Sequence, residues 1–458
     1  REVMGPWHVQ LDGIYDDYDQ CAEEAWDLGG WPAYIDGVFV VRFGCYESRG
    51  DAQDALEDLG LDGEAVKSSS AGVMVTRTRT TEVLFEFQNG WDLSLGVMPQ
   101  AGRREEPVTW FKGYKYKGGF EYVRPSGGDL RVINVVCLAD YVKVVVPYEW
   151  NGDWRLAALE AQAVCARTFA CRNTKHQNYD FDVCSGTCCQ VYNGTNTATD
   201  LSDEAVENTE GECLYYDGEL IEAVYHSSNG GATEDAENVW GGRVPYLLGK
   251  EDPYEELTSI PNYNWSVTYT ADQLTWILQQ KNYTIGDIED VYVSAVTDMG
   301  NVAAVTFVDT DGEILTLKGD TARTVFYSST YQKSVPSLRF SINGKGGGTV
   351  TAGSGGYYVN GAQKLSSLEG AIAIATGGKK SELSDGSWYA ITADGVTKLS
   401  TGTVSRRVNT SSNGTFTITG SGNGHNVGLS QYGARAMAED GYDYEEILEF
   451  YYTDITIK

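Results

Sequence analysis

The sequence predicts an α+β protein, with a core that mixes helices and antiparallel sheet, a β-rich accessory region and a small α+β module at the N-terminus. Three observations carry this. Strand-turn-helix patterning occurs twice in the first 75 residues. Short β runs without a usable helix come next. An Ala-rich amphipathic helix and two C-terminal helices then bracket a Gly/Thr-rich stretch of strands. At about 150 residues per domain, the 458 residues ask for about three domains and suffice to bury a core.

In chain order, residues 1–75 form the first module. VQLDGIYDDYDQCAEEAWDLGG reads as strand, turn and helix, and PAYIDGVFVVRFGCYESRGDAQDALEDLG repeats that order. The outline resembles a SPOR-type module through VFVVRFGCYESRGDAQDALEDLG. That resemblance implies binding of glycan strands stripped of peptides; an ordinary α+β accessory domain is the alternative. Cys21 and Cys45 lie together here as a candidate disulfide pair. Residues 76–132 alternate VLFEFQ, VTWFKGYKYKGGFEYVRP and similar β runs with Gly and Asn turns, a β-rich region leading into the core.

The core is assigned to 133–342 and 413–458. Its opening, LADYVKVVVPYEWNGDWRLAALEAQAVCARTFACRN, reads as a buried strand, a Pro turn and a helix. Leu156, Leu159, Ala163, Ala166 and Ala170 recur three and four apart, and Asp153 is available as N-cap. From 343 to 412 the composition turns to Gly, Ser and Thr, and runs such as AIAIA and WYAIT predict an ordered β insertion. SGNGHNVGLSQYGARAMAEDGYDYEEILEFYYTDI closes the chain as a Gly-rich loop and two helices.

Composition narrows the function. Lys and Arg number 34 against 65 Asp and Glu, a net charge of −31 that repels nucleic acid. Aromatics at 12% argue for an ordered globule. The longest apolar runs, VINVVCL and VKVVVP, fall far short of the ~20 residues of a membrane span. REVMGPWHVQ holds no basic-then-apolar segment, which leaves a removed signal peptide and none at all both open.

Four segments carry candidate chemistry. Glu149 sits between Tyr148 and Trp150. Withdrawal from water beside aromatics would raise its pKa toward the range of a general acid, whereas a solvated position near the positive end of a helix dipole would lower it. Gln162 and Arg167 interrupt the Ala-rich helix, where polar groups satisfy a buried partner or face a cleft.

The second segment is the loop Tyr225-His226-Ser227-Ser228-Asn229-Gly230-Gly231. It offers hydroxyls, an amide and close backbone approach to a sugar, and Trp240 could stack on a pyranose face. A His226–Ser227 nucleophile pair is disfavoured because neighbours on a strand face opposite ways.

The third is the Gly loop around His425. Gly422, Gly424 and Gly428 have the wrong spacing and context for a dinucleotide fingerprint, which leaves His425 as a structural hydrogen-bonder, an orienter of the carboxyl or a substrate contact. Last, His176, Cys184, Cys188 and Cys189 lie within fourteen residues and form the donor set of a closed zinc site. A Cys184–Cys189 disulfide is the alternative. Cys137, Cys165, Cys171 and Cys213 fall in apolar surroundings, where free Cys packs as a small hydrophobe.

Three separated blocks, LADYVKVVVPYEW…LEAQAVCARTFA, YHSSNGGATEDAENVWGGRVPYL and GNGHNVGLSQYGARAMAEDGYDYEEILEFYY, resemble the signature blocks of the SpoIID/LytB family over about 120–342 and 413–458. The resemblance implies a peptidoglycan lytic transglycosylase that cuts the β-1,4 bond after N-acetylmuramic acid in denuded strands and leaves 1,6-anhydro ends. Glu149 matches the family's catalytic glutamate. Gln162, Arg167, Tyr225, Ser227, Ser228, Asn229, Trp240, His425 and Gln431 are then the expected substrate-binding set, and Arg167 and Arg243 the candidate partners of the glycan's carboxylates.

Matching also implies zinc on His176, Cys184, Cys188 and Cys189. Three departures stand out: Cys188 replaces a common His, PYEW replaces PxEM, and Asn426 replaces a usual Gly. The LytB branch implies a different role, a non-catalytic enhancer of an N-acetylmuramoyl-L-alanine amidase. Both branches imply an extracytoplasmic, cell-wall location, with peptidoglycan strands and a cell-wall amidase as expected partners.

Overall fold

The computed structural model describes residues 4–88, 93–103, 106–124, 128–150, 154–343 and 414–458, together with the backbone of six short strands between 357 and 399. The chain divides into two compact units. One comprises residues 1–144 with 177–186 and 192–197; the other comprises 145–176, 187–191 and 198–458.

The first unit opens with β1 (Trp7–Leu11), α1 (Tyr18–Asp27), β2 (Trp31–Ile35), β3 (Val38–Tyr46), α2 (Arg49–Leu59), β4 (Gly63–Lys67), β5 (Val73–Thr76) and β6 (Val83–Gln88), whose strands form one sheet in the order β4-β1-β3-β2-β6-β5. Asp17 caps α1 by accepting the Asp19 and Gln20 N–H groups. Ser48 and Asp51 close a capping box on α2, and Gly60 ends it in the left-handed region. Cys21, Ala25, Ala52 and Leu56 of the helices pack on Val9, Val41 and Phe43. The opposite face holds Trp31, Ala33, Val40 and Val83, with Arg42 and Glu86 paired at 2.8 Å and both buried.

The expected Cys21–Cys45 pair does not form. Gly44 takes φ +71°, where the pairing of β1 with β3 slips register, and this kink exchanges the two faces of β3. Tyr46 then packs with Cys21 on the helix side, Cys45 packs on the other face, and both thiols are free.

β7 (Leu95–Val97), β10 (Gly119–Val123) and β11 (Arg131–Val135) form a second sheet, and β8 (Thr109–Phe111) and β9 (Tyr114–Tyr116) a hairpin. Tyr116, Phe120, Tyr141 and Tyr192 stack beside these strands, with the Tyr192 hydroxyl donating to Asn134 at 2.6 Å.

One expected element changes type. Residues 138–147, read as a strand, belong to α3 (Leu138–Glu149), which contains Pro147 near its end. The Val-rich run carries strand propensity, but Tyr141, Val142, Val144, Val145 and Val146 are buried around the helix, and tertiary packing overrides the local preference. Glu149 therefore lies at a helix C-terminus and not in a turn before the next helix.

In the second unit, α4 (Leu156–Arg172) buries every side chain from Ala158 to Thr168. Its alanines admit close packing by α5 (Asp200–Asn208), α9 (Gln431–Asp440) and α10 (Tyr444–Tyr451). Arg155 stands at its N-cap without a side-chain bond; Asp153 lies outside the described residues. β12 (Leu214–Tyr216) pairs with β13 (Glu219–Leu220) and with β28 (Thr456–Ile457). β14 (Tyr225–His226) runs parallel to β27 (Leu429–Ser430), which joins segments about 200 residues apart in sequence. Gly428 turns into β27 at φ +71°, and a Cβ there would sit 2.2 Å from the Val224 carbonyl, so only glycine fits.

Beyond α6 (Ala236–Trp240), β15 (Asn264–Thr270) pairs with β26 (Thr415–Ser421), which pairs in turn with β19 (Phe340–Ile342). β16 (Ile288–Val296), β17 (Val302–Asp309) and β18 (Ile314–Lys318) form an antiparallel meander, and Tyr269, Phe307, Phe326 and Phe416 fill the core they share with α7 (Ala271–Gln280) and α8 (Thr321–Thr324). Within the expected insertion, β20 (Tyr357–Val359) pairs with β21 (Gln363–Leu365), β22 (Ile372–Ile374) with β23 (Lys380–Glu382), and β24 (Trp388–Thr392) with β25 (Gly395–Leu399); its remaining residues lie outside the description. No helix among the described residues is long and apolar enough to cross a membrane.

Candidate active site

Glu149 is the last residue of α3 and is half-buried. Its Oε1 accepts the Val191 N–H at 2.8 Å, and the Tyr225 side chain hydrogen-bonds the same carboxyl. Burial raises its pKa above the usual carboxylate range, and the Val191 and Tyr225 bonds only partly offset this. The negative end of the α3 dipole acts in the same direction as burial, opposite to the positive end considered from the sequence. Gln190 Nε2 in turn donates to the Tyr225 hydroxyl at 3.2 Å and to the Ala166 carbonyl at 3.4 Å.

Gln431, at the start of α9, donates from Nε2 to the Glu149 carbonyl at 3.2 Å and to Gln162 Oε1 at 3.4 Å. Gln162 Nε2 and Trp150 Nε1 are buried donors with no protein partner among the described residues. Trp150 meets Trp154 at 4.5 Å, Trp154 meets Tyr432 at 5.0 Å, and Arg435 caps Trp154 at 5.2 Å. An aromatic wall thus stands beside Glu149.

The Tyr432 N–H donates to the Ser227 carbonyl at 3.0 Å, and Ser227 and Tyr432 both line a cavity of about 820 Å3. Tyr263, Trp265 and Tyr327 supply further rings, Lys281 and Arg323 supply positive charge, and among the described residues no Asp or Glu lines it. Asp320 pairs with Arg323 at 2.8 Å, which leaves Lys281 as the net charge.

The remaining expected residues are placed as follows. Ser228 Oγ donates to Glu255 at 2.8 Å, the Asn229 and Gly230 N–H groups reach the same carboxylate at 2.6 and 2.9 Å, and Ser430 Oγ completes the set. Asn229 Nδ2 donates to Asp252 at 2.7 Å, as does the Tyr451 hydroxyl. The polar groups of Ser228 and Asn229 are thus engaged inside the fold, and Ser430, which caps α9 through Gly433 N–H, joins their loop to the helix carrying Gln431. Asp252 and Glu255 escaped sequence reasoning. KEDPYEE reads as a solvated acidic turn, and no local signal marks two of its carboxylates as buried.

Arg167 is buried and donates to the Glu212 and Val206 carbonyls at 3.0 and 3.2 Å; Arg243 is exposed. His425 accepts the Val427 N–H at Nδ1, 3.1 Å, and bonds the Tyr225 backbone; burial and Arg323 push its pKa down to about 4. Its ring lies 5.4 Å from His226 and 5.1 Å from Trp240, whose indole is 46% exposed. Asn426 occupies φ +66°, a left-handed position that Asn tolerates, and its Nδ2 reaches the Asn229 carbonyl, Asn301 and Ser337. The departure from glycine is therefore accommodated.

The ligand atoms of His176, Cys184, Cys188 and Cys189 all lie within 4.8 Å of one another in a single loop. Lys175 Nζ donates to Cys188 Sγ at 2.9 Å and Asn173 Nδ2 to Cys189 Sγ at 3.3 Å, contacts that favour thiolates. Three sulfurs and one imidazole at this separation suit a closed tetrahedral zinc site. Cys171 and Cys137, expected in apolar surroundings, are exposed because each lies at an end of a helix and not within its packed face.

Fold and site define an α+β chain with a recessed glutamate at a helix terminus, clamped by two loops that a parallel strand pair brings together. Residues 126–216, which hold Glu149 and the Cys/His loop, match the family model described as Stage II sporulation protein, SpoIID. The amidase enhancer of Bacillus subtilis (strain 168) is 35% identical over 321 residues, 69% of this chain and 40% of that protein. Stage II sporulation protein D of the same strain is 33% identical over 151 residues, 29% of this chain and 43% of its own, and that of Bacillus amyloliquefaciens 28% identical over 336 residues, 70% and 74%. The chain thus spans less than half the length of either Bacillus subtilis (strain 168) relative. Its residues 126–216 thus resemble a SpoIID domain.

Proposed function

We propose that this chain is a peptidoglycan lytic transglycosylase acting on denuded glycan in cell-wall remodelling or sporulation, outside the cytoplasm. The observation that carries the reading is the environment of Glu149: burial raises its pKa and so favours the protonated form, while Val191 N–H and Tyr225 stand ready to receive the carboxylate once a proton leaves. Glu149 protonates the glycosidic oxygen as the C1–O bond breaks. It then takes the proton of the muramic C6 hydroxyl as that oxygen bonds C1, closing the 1,6-anhydro ring. Because the nucleophile belongs to the substrate, no second carboxylate is required.

Gln162 and Trp150 are buried and position the site, Gln162 through Gln431, which also holds the Glu149 carbonyl. The cavity beyond Ser227 and Tyr432 accepts the neighbouring sugars, its rings lying against pyranose faces and Lys281 attracting lactyl carboxylates. Arg167 and His425 act here as positioning residues: one fixes α4 to the turn at 212, and the other fixes Tyr225. Ser228 and Asn229 shape the sugar-facing loop, and Trp240 stands at its edge. Zinc, held by His176, Cys184, Cys188 and Cys189, would supply no reacting ligand position; it would brace the loop from which Val191 donates to Glu149.

One observation favours a second reading, a non-catalytic enhancer of a cell-wall amidase: the 35% identity to a protein named amidase enhancer covers 69% of this chain. Glu149→Gln separates the two. Parent chain incubated with amidase-treated sacculi should release anhydromuramic products by mass spectrometry, and the variant none. If neither releases products while both stimulate an N-acetylmuramoyl-L-alanine amidase equally, the enhancer reading replaces the enzymatic one.

A further inference from the structure

The nine cysteines of the chain are not equivalent. Cys184, Cys188 and Cys189 sit with His176 in the zinc-type cluster, and Cys21 and Cys45 are held on opposite faces of a sheet. Cys171 and Cys213 differ from both groups. α4 and the segment before β12 are fastened together on either side of residue 213. Arg167 Nη1 donates to the Glu212 carbonyl at 3.0 Å, and the Leu214 N–H donates to Thr168 Oγ1 at 2.9 Å. Cys171 stands one helical turn beyond Arg167 on the same helix face. Between the two fastenings the side chains of Cys213 and Cys171 meet in a hydrogen bond. The Cys213 backbone is held as well, exchanging bonds with Lys458 at 3.0 and 3.2 Å.

We infer that Cys171 and Cys213 form a disulfide by exchange with an external disulfide compound, cross-linking the end of α4 to the segment entering β12. The two thiols divide the work by exposure, since Cys171 is exposed and Cys213 buried. The Cys171 thiolate attacks one sulfur of the external disulfide, forms a mixed disulfide and expels one thiolate. Cys213, once deprotonated, attacks Cys171 Sγ in that mixed disulfide and expels the second. The two cysteines lose two electrons and two protons, and both are recovered in the two small thiols released. The hydrogen bond from Cys213 and the nearby Arg167 charge pull the Cys171 thiol down to about 7, which makes it the attacking group, while Cys213 is pushed up by the thiolate beside it.

The closed ring contains both the Val191 N–H that contacts Glu149 and the whole Cys/His cluster, so the cross-link would secure the loop that positions the site. Formation of the bond is independent of whether Glu149 is catalytic. The test incubates the intact, folded chain with oxidised glutathione, blocks remaining thiols with an alkylating agent under denaturing conditions and maps the non-reduced peptides. A peptide pair joined through Cys171 and Cys213, resolved into separate peptides by reduction, is expected. In Cys171→Ser the pair is lost and Cys213 is recovered alkylated; since residue 171 is exposed, this variant should keep the parent's circular dichroism. Recovery of both residues as alkylated thiols while exposed Cys137 carries glutathione would overturn the inference, and so would Cys171 joined to a cysteine of the cluster.

Discussion

Glu149 is placed to lend and recover one proton because burial and hydrogen bonding act on it in opposite directions, with burial the larger. Removing the Tyr225 hydroxyl takes away a donor that stabilises the carboxylate, so Tyr225→Phe should raise the Glu149 pKa further. The protonated form is the one that starts the reaction, and the alkaline limb of the pH–rate profile should therefore move to higher pH. The maximal rate should fall by roughly tenfold because a weaker acid gives its proton to the glycosidic oxygen less readily. A limb that stays in place, or moves to lower pH, would show that Tyr225 does not act through this carboxyl.

Among the elements, the joint between the Ser227 loop and α9 depends on two acids, Asp252 and Glu255, whose pKa values are raised by burial. Glu255 accepts four hydrogen bonds, and an amide in its place would turn a donor toward one of them. Glu255→Gln should cost about 1–3 kcal/mol in denaturant titration. The sign of the pH effect follows from the direction of the shift. A carboxyl whose folded pKa lies above its unfolded value stabilises the fold fully below the unfolded value, and that contribution is lost as pH rises through the folded one. Stability of the parent chain should therefore carry a downward component as pH rises from about 4.5, and the variant should lose the share due to Glu255. An unchanged slope would place that share elsewhere.

These elements also show what a sequence exposes. α4, α9 and α10 were legible because small and apolar residues recur at helical spacing, in α9 and α10 behind recognisable side-chain caps. α3 was not, because its valines carry strand preference and only tertiary burial makes them helical. The aromatic neighbours of Glu149 pointed to its raised pKa. The carboxylates beneath the Ser228 loop left no trace, since a buried acid and a solvated one are spelled alike.

Across the whole molecule a charge of −31 opposes any polyanion, whereas the described lining of the cavity beside Tyr432 has Lys281 and Arg323 and no acidic residue. Attraction is thus local and screened over about 10 Å at 0.1 M salt. Lys281→Gln should weaken binding of denuded muramyl glycan several-fold at low salt and less at high salt, and leave a neutral chito-oligosaccharide unaffected, as titration calorimetry would read. Equal losses for both ligands would assign Lys281 to packing.

The account stands on a reaction in which the substrate's own hydroxyl, and not water, closes on C1 while Glu149 moves the proton. Digestion of denuded glycan in 18O-labelled water, read by mass spectrometry, tests this directly. Anhydromuramic ends without label are predicted, and label at the muramic C1 of reducing-end products would contradict it.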